Sequence, residues 1–247
     1  VTGTLNMADL ASKVPHVINS DHAMLACGAL MLLVVFGLKS ALFPLQFWLP
    51  GTYSQAAPPV AALFAIMTKV GAYSILRVFV LAFGENAGPF SWIAREWLIP
   101  AAGITLALGA IGVFAARSLS QQASFAALSS MGLLLIAVGA FTPQSISAAL
   151  YYVIHSTIAI AALFLLIDMV IARRPGEGDA LTVSPPFVNQ GLIASLFFMV
   201  VIAVTGIPPL AGFVGKLLIL ESVRWIDGSM WLWALILFAS LLSLMGF

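Results

Sequence analysis

Four ionisable residues stand inside strongly apolar sequence: Lys39, Lys69, His155 and Lys216. No Asp, Glu, Lys or Arg lies in 23–38 or 40–68, on either side of Lys39, and none lies in 180–215, before Lys216. His155 falls within a further charge-free run, 118–167. A lysine at the centre of a bilayer costs ~2.5–3.5 kcal/mol on insertion scales, so each must face protein or water rather than lipid. The chemistry open to such groups is proton transfer. Burial disfavours the charged form of an amine, so a lysine in an apolar surround exchanges its proton nearer neutrality than a solvated one, and a carboxylate moved close reverses the effect. A series of such groups makes a proton relay. The competing readings are snorkelling from a helix end for the lysines, and for His155 a packed ring bonded to a backbone carbonyl.

Neighbouring polar residues add to this set. Lys69, Tyr73 and Arg77 recur at i, i+4 and i+8 and are expected to line one helix face, as are Tyr151 and His155 at i, i+4. Ser130, with Thr68, Ser129, Ser156 and Thr157, could join them, although serine and threonine are also ordinary helix-packing residues. Other chemistry lacks its residues. There is no phosphate-binding glycine loop, no GxSxG nucleophile elbow, and no His, Cys and carboxylate cluster with metal-ligand spacing. His16, His22 and His155 are too scattered for a haem pair, and Cys27, the single cysteine, excludes an intrachain disulfide. The sequence therefore predicts no catalytic residue, no metal and no cofactor.

The elements that must hold these groups are membrane helices. Of the 247 residues 62% are hydrophobic and 8% charged, and the mean hydropathy is +1.11; soluble domains carry about 25% charged residues. A helix needs ~20 apolar residues to cross ~30 Å of hydrocarbon, and the runs 97–116, 118–167, 180–215 and 228–247 contain no charged side chain. The net charge of +1 gives no basic field for nucleic acid. The expected fold is an all-α, polytopic helical bundle, a single transmembrane domain over 1–247, with a polar connection at 1–21 and a hydrophilic loop at 173–186. Uninterrupted spans are expected at 58–83, 97–116, 120–141 and 144–172, and a last one from near Ser229.

Two stretches are too long for one straight crossing and are expected to be discontinuous helices. The first runs 22–43, breaks at Pro44 and Pro50, and continues briefly to Ala57; the second runs 187–225 and breaks at Pro208 and Pro209. Broken helices free backbone groups at membrane depth, which is tolerated only inside protein or beside a hydrated cavity. Two such segments in corresponding halves point to inverted repeats and a transport site. Each break has a lysine within two turns: Lys39 precedes Pro44 by five residues and Lys216 follows Pro209 by seven. A kink made for packing alone is the competing reading.

The motifs resemble a known family. Lys39-Ser40-Ala41-Leu42-Phe43-Pro44, continuing to Pro50, is similar to the broken seventh helix of the antiporter-like membrane subunits of respiratory complex I and of Mrp-type multisubunit cation/proton antiporters. Thr68-Lys69-Val70-Gly71 through Arg77 is similar to their eighth helix, Ser129-Ser130-Met131-Gly132 to the tenth, His155-Ser156 to the eleventh, and Gly206-Ile207-Pro208-Pro209 through Lys216 to the broken twelfth. The resemblance implies a fold of about fourteen helices in inverted repeats, of which this chain holds roughly the seventh to thirteenth, with a partner glutamate upstream of Val1. It implies a relay from Lys39 and Lys69 through His155 to Lys216. It also implies partners in the other subunits of the complex, the lipid bilayer, protons and monovalent cations, and a location in the bacterial inner membrane. Gln46, Gly51, Ser130 and the run Leu119-Ser120-Gln121-Gln122 replace polar or charged residues usual in complex I. The resemblance therefore favours the D subunit of an Mrp Na+(K+)/H+ antiporter, a transporter component rather than an enzyme. A pumping subunit of complex I or of a membrane-bound hydrogenase is the alternative. A membrane scaffold whose lysines only bind partner subunits is a third reading.

Overall fold

The computed structural model describes residues 1–18, 21–174, 176–183, 185–224 and 229–247. Positions 19 and 20 of the polar connection and 175 and 184 of the hydrophilic loop lie outside this set. Among the described residues every regular element is helical: α1 Met7–Lys13, α2 His22–Lys39, α3 Trp48–Gln55, α4 Pro58–Leu81, α5 Arg95–Ala115, α6 Leu119–Ala140, α7 Pro143–Ile171, α8 Gln190–Thr205, α9 Ala211–Val223 and α10 Met230–Gly246. Helices α2, α4, α5, α6 and α7 are long and apolar enough to cross a membrane, and α8 and α10 are shorter apolar helices. The expected fold class holds, with both expected discontinuities. One boundary moves materially. The first stretch ends at Lys39 rather than at residue 43, because Ser40 leaves the helix, Ala41 takes a left-handed φ of 52° and Pro44 follows.

Helix α6 is the hub. It packs against α3, α4, α5, α7, α9 and α10, and every residue from Ser130 to Ala140 is buried. Small residues allow this. A Cβ on Gly109 of α5 would lie 2.4 Å from the Ser129 nitrogen, and one on Gly132 of α6 would lie 2.4 Å from the Leu106 nitrogen. Two backbones this close exclude any larger residue and gain dispersion contacts that substitute for a hydrophobic drive in lipid. With Ser129 and Gly132 pressed against α5, the adjoining Ser130 and Met131 meet α4 instead.

The helix ends follow local chemistry. Pro58 and Pro59 open α4 where their missing N–H groups are not needed. Thr142 and Ser145 form a reciprocal capping box at the start of α7, with Pro143 in its first turn. At the start of α6 the loop folds back. The Ser120 N–H donates to Asp179 Oδ2 at 3.1 Å and the Leu119 N–H to the Asp179 carbonyl at 2.9 Å. A carboxylate thus satisfies a free donor of the first turn.

Candidate functional site: two helix breaks and their lysines

The second break is built by its prolines. In a continuous helix the carbonyls of Val204 and Thr205 would accept from residues 208 and 209, but both are proline and have no N–H. Helix α8 therefore stops at Thr205. Gly206 turns the chain with φ 72°, and its N–H and that of Ile207 both return to the Ile202 carbonyl. The chain re-enters helix at Ala211. Lys216, in the second turn of α9, reaches back across the break. Its Nζ donates to the Thr205 carbonyl at 2.5 Å and to Ser240 Oγ of α10 at 2.7 Å. A Cβ on Gly206 would stand 2.6 Å from Lys216 Cδ, so the glycine is required both for its φ and for the lysine's passage.

His155 binds the same turn. Its Nε2 lies 3.1 Å from the Ala203 carbonyl. A carbonyl only accepts, so Nε2 carries the proton and Nδ1 is the nitrogen left free in the neutral ring. Gly212 makes room, since a Cβ there would fall 2.8 Å from this Nε2 and 2.0 Å from the Ala203 oxygen. His155 is half-buried and lines an open groove with Tyr151, Ala203 and Ala211.

Lys69 is the most enclosed of the four, 3% exposed. From α4 its Nζ donates to Ser130 Oγ at 2.9 Å and to the Met131 sulfur at 3.2 Å, while Ser130 passes its own hydrogen to the Ala127 carbonyl at 2.8 Å. Thioether sulfur is a weak acceptor, so Ser130 is the principal partner. Neither Lys69 nor Lys216 joins an ion pair among the described residues.

The first break is closed differently. The Phe43 N–H donates to Thr105 Oγ1 of α5 at 2.9 Å, and the Trp48 indole N–H to the Leu38 carbonyl at 3.0 Å. Gly71 of α4 lies against this turn, where a Cβ would be 2.9 Å from the Ser40 nitrogen. Lys39 is the last residue of α2. It is exposed, and its side chain makes no hydrogen bond among the described residues. It does not sit deep in a helix, because the helix ends at it. Gln46, in the same break, is 2% exposed, and neither side-chain amide atom has a partner among the described residues.

The polar residues expected to support these groups divide. Ser130 meets Lys69. The Lys69, Tyr73 and Arg77 series does not form one face: eight residues advance an α-helix by about 80° beyond two full turns. Lys69 accordingly turns inward, while Tyr73, 45% exposed, accepts from exposed Arg77 at 3.1 Å. Tyr151 is exposed, with its hydroxyl 3.4 Å from the Ala211 carbonyl. Sequence reasoning missed Ser240 and Tyr152. Ser240 lies in the last, charge-free run with only a serine spacing to mark it. Tyr152 is buried one residue from Tyr151, and a step of one residue, about 100°, separates interior from surface.

Interrupted apolar helices, with lysines seated on or beside the interruptions, define an all-helical polytopic membrane protein. The chain belongs to the family described as NADH:quinone oxidoreductase/Mrp antiporter, TM, whose model matches residues 1–243. It is 37% identical over 239 residues to the probable K(+)/H(+) antiporter D subunit of Rhizobium meliloti, covering 90% of this chain and 44% of that protein. With the Na(+)/H(+) antiporter D subunit of Bacillus subtilis it shares 38% identity over 245 residues, covering 99% and 48%. A chain in the solved structure of the Mrp complex from Dietzia sp. DQ12-45-1b superposes with a TM-score of 0.85 at 27% identity, over 99% of this chain and 44% of that one. The chain spans about half the length of the curated relatives it matches.

Proposed function

We propose that this chain is the part of an Mrp-type antiporter's D subunit, roughly its seventh to thirteenth helices, that moves protons within the membrane in exchange for Na+ or K+. It works in the bacterial inner membrane beside the other subunits of the antiporter, as a transporter component and not an enzyme. The observation that carries the reading is Lys216, whose ammonium takes the Thr205 carbonyl freed by Pro208 and Pro209. A packing kink needs no lysine there. Lys69, enclosed on Ser130, supplies a second proton-carrying group. Lys39, exposed at the first break, takes its counter-charge from another part of the assembled protein. The names of the relatives and the family's match over 1–243 support the assignment.

The test uses the complete antiporter in membrane vesicles. Lys39→Ala, Lys69→Ala and Lys216→Ala should each cut pH-driven Na+ or K+ exchange by at least about tenfold while the complex still assembles. Normal exchange in an assembled Lys216→Ala complex would sink the relay. The family's description also names NADH:quinone oxidoreductase, which keeps a redox-driven pump as the second reading. Neighbouring genes separate the two: small antiporter subunits favour the first, quinone and iron–sulfur subunits the second.

A further inference from the structure

The first break also walls a groove that includes none of the four ionisable residues. The groove lies between α2 and α5 and holds about 610 Å³. Leu33 and Gly37 of α2, Phe43 and Pro44 of the break, and Pro100 and Ile104 of α5 line it. Its one charged wall is Glu96, in the first turn of α5, beside Trp97. Both are exposed, and an exposed tryptophan at a helix end marks the membrane surface. Pro100 adds a second acceptor at this mouth. It has no N–H to give the Glu96 carbonyl four residues before it, and the two residues line the same groove. Below, the groove is closed. The break crosses from α2 to α5 and meets it where the Phe43 N–H donates to Thr105 Oγ1 at 2.9 Å. Ile104 stands eight residues after Glu96, ~12 Å along a helix. One leaflet, half of the ~30 Å hydrocarbon core, is ~15 Å deep.

We propose that this groove holds one acyl chain of a phospholipid whose headgroup carries a primary ammonium. The ammonium sits at the mouth and donates to the Glu96 carboxylate and to the carbonyl that Pro100 leaves free. The chain runs inward between Leu33, Gly37 and Ile104 and ends on Phe43 and Pro44. A carboxylate at the mouth favours a positive donor and opposes an anionic headgroup. A primary ammonium brings three donors, whereas a quaternary one has no N–H to give. The closed floor excludes a spanning helix, which needs ~30 Å of continuous depth, more than twice what the groove offers. A chain from a lipid of one leaflet needs no more than the groove provides. Helix α2 packs mainly against α4, so a chain in the groove supports it from the α5 side and braces the joint at Phe43.

The test uses the complete antiporter in phosphatidylcholine vesicles doped with phosphatidylethanolamine that carries a photoreactive group at the end of one acyl chain. After irradiation, peptide mapping by mass spectrometry should find the label on the break at Phe43 and Pro44 and on Ile104. It should exceed the same label carried on phosphatidylcholine by about fivefold, the upper end for an exposed ion pair. Glu96→Gln removes the charge at an exposed position and should bring the two lipids to within about twofold of each other. Ile104→Trp fills the groove and should clear the label from Phe43 and Pro44 with both lipids. Should that variant not assemble, Val34→Trp fills the groove from α2 with the same expectation. Equal labelling by the two lipids in the parent overturns the proposal, as does an undiminished preference in Glu96→Gln or label persisting on the floor of the filled groove. Absence of label from the groove in the assembled complex overturns it too, because a protein segment, of this chain or of another subunit, then covers the site. These readouts measure lipid and not transport, so the relay reading can fail without them and they without it.

Discussion

The two helix breaks solve one problem in opposite ways. Proline denies the backbone its helical donors at both places, and freed groups at membrane depth must be satisfied. At the first break the donors and acceptors are neutral and fixed: Thr105 takes the Phe43 N–H, and Trp48 caps the Leu38 carbonyl. The nearby lysine is turned out of the chain. At the second break the lysine itself closes the gap, with Lys216 on Thr205 and His155 on Ala203. One break is a structural joint beside an outward-facing charge, and the other is a joint made of the charge. Stability and transport should therefore separate at the first and coincide at the second.

Glycines give the sharpest contrast. Gly206→Ala forces a left-handed φ on a residue with a side chain, at a cost of roughly 1–2 kcal/mol, and drives its Cβ into Lys216. Exchange should fall by more than about tenfold, with the assembled complex also less stable by about 2–4 kcal/mol. Gly51 in α3 has nothing within 4 Å of an added Cβ, so Gly51→Ala should be neutral or stabilising by up to about 1 kcal/mol. Exchange assays and thermal denaturation of the same preparations read both effects, and similar behaviour of the two would erase the contrast.

A smaller effect is expected from the neutral joint. Thr105→Val leaves the Phe43 N–H unpaired and should cost about 1–3 kcal/mol, with exchange per assembled complex retained. A transport loss there as deep as that of Lys216→Ala would mean that the first break is not merely structural. The smallest effect lies outside both breaks, at Asp179. Burial works to raise its pKa, but hydrogen bonds from Ser120 and Ser118 outweigh it, and the pKa lies below the ordinary carboxylate value. A depressed carboxylate stabilises above its unfolded pKa, and that contribution disappears as pH falls through the folded one. The loop contact on α6 should hold at neutral pH and loosen only below about pH 4. Asp179→Asn should loosen it at every pH. Proteolysis of the loop would report the release, and loss of exchange in Asp179→Asn at neutral pH would show that the loop is coupled to the breaks.

Much of this arrangement was legible in the residues, for reasons that differ by element. Charge-free runs bounded by proline and glycine place most helices to within a few residues, because length and apolarity alone decide a span. Pro208 and Pro209 announce the second break for the same covalent reason that they make it. Lys39 misled because apolar sequence continues past it. Only the turn at Ser40 and Ala41 shows that the helix has ended, and neither residue type demands a stop. The Lys69, Tyr73 and Arg77 series failed through drift: i+8 looks like a repeat but is not one. Ser240 and Tyr152 were illegible because their meaning is tertiary. A serine far along the chain becomes a lysine's partner only when α10 is laid beside α9.

The Thr205 carbonyl has an electrical consequence. A helix carries roughly half an elementary negative charge at its C-terminal end, spread over its unpaired carbonyls. By stopping α8 at Thr205, the break sets that pole against the ammonium of Lys216. A carboxylate in the same place would be a counter-ion that any acid could neutralise. A backbone pole cannot be titrated. Lys216 thus has a companion whose charge no change of pH alters.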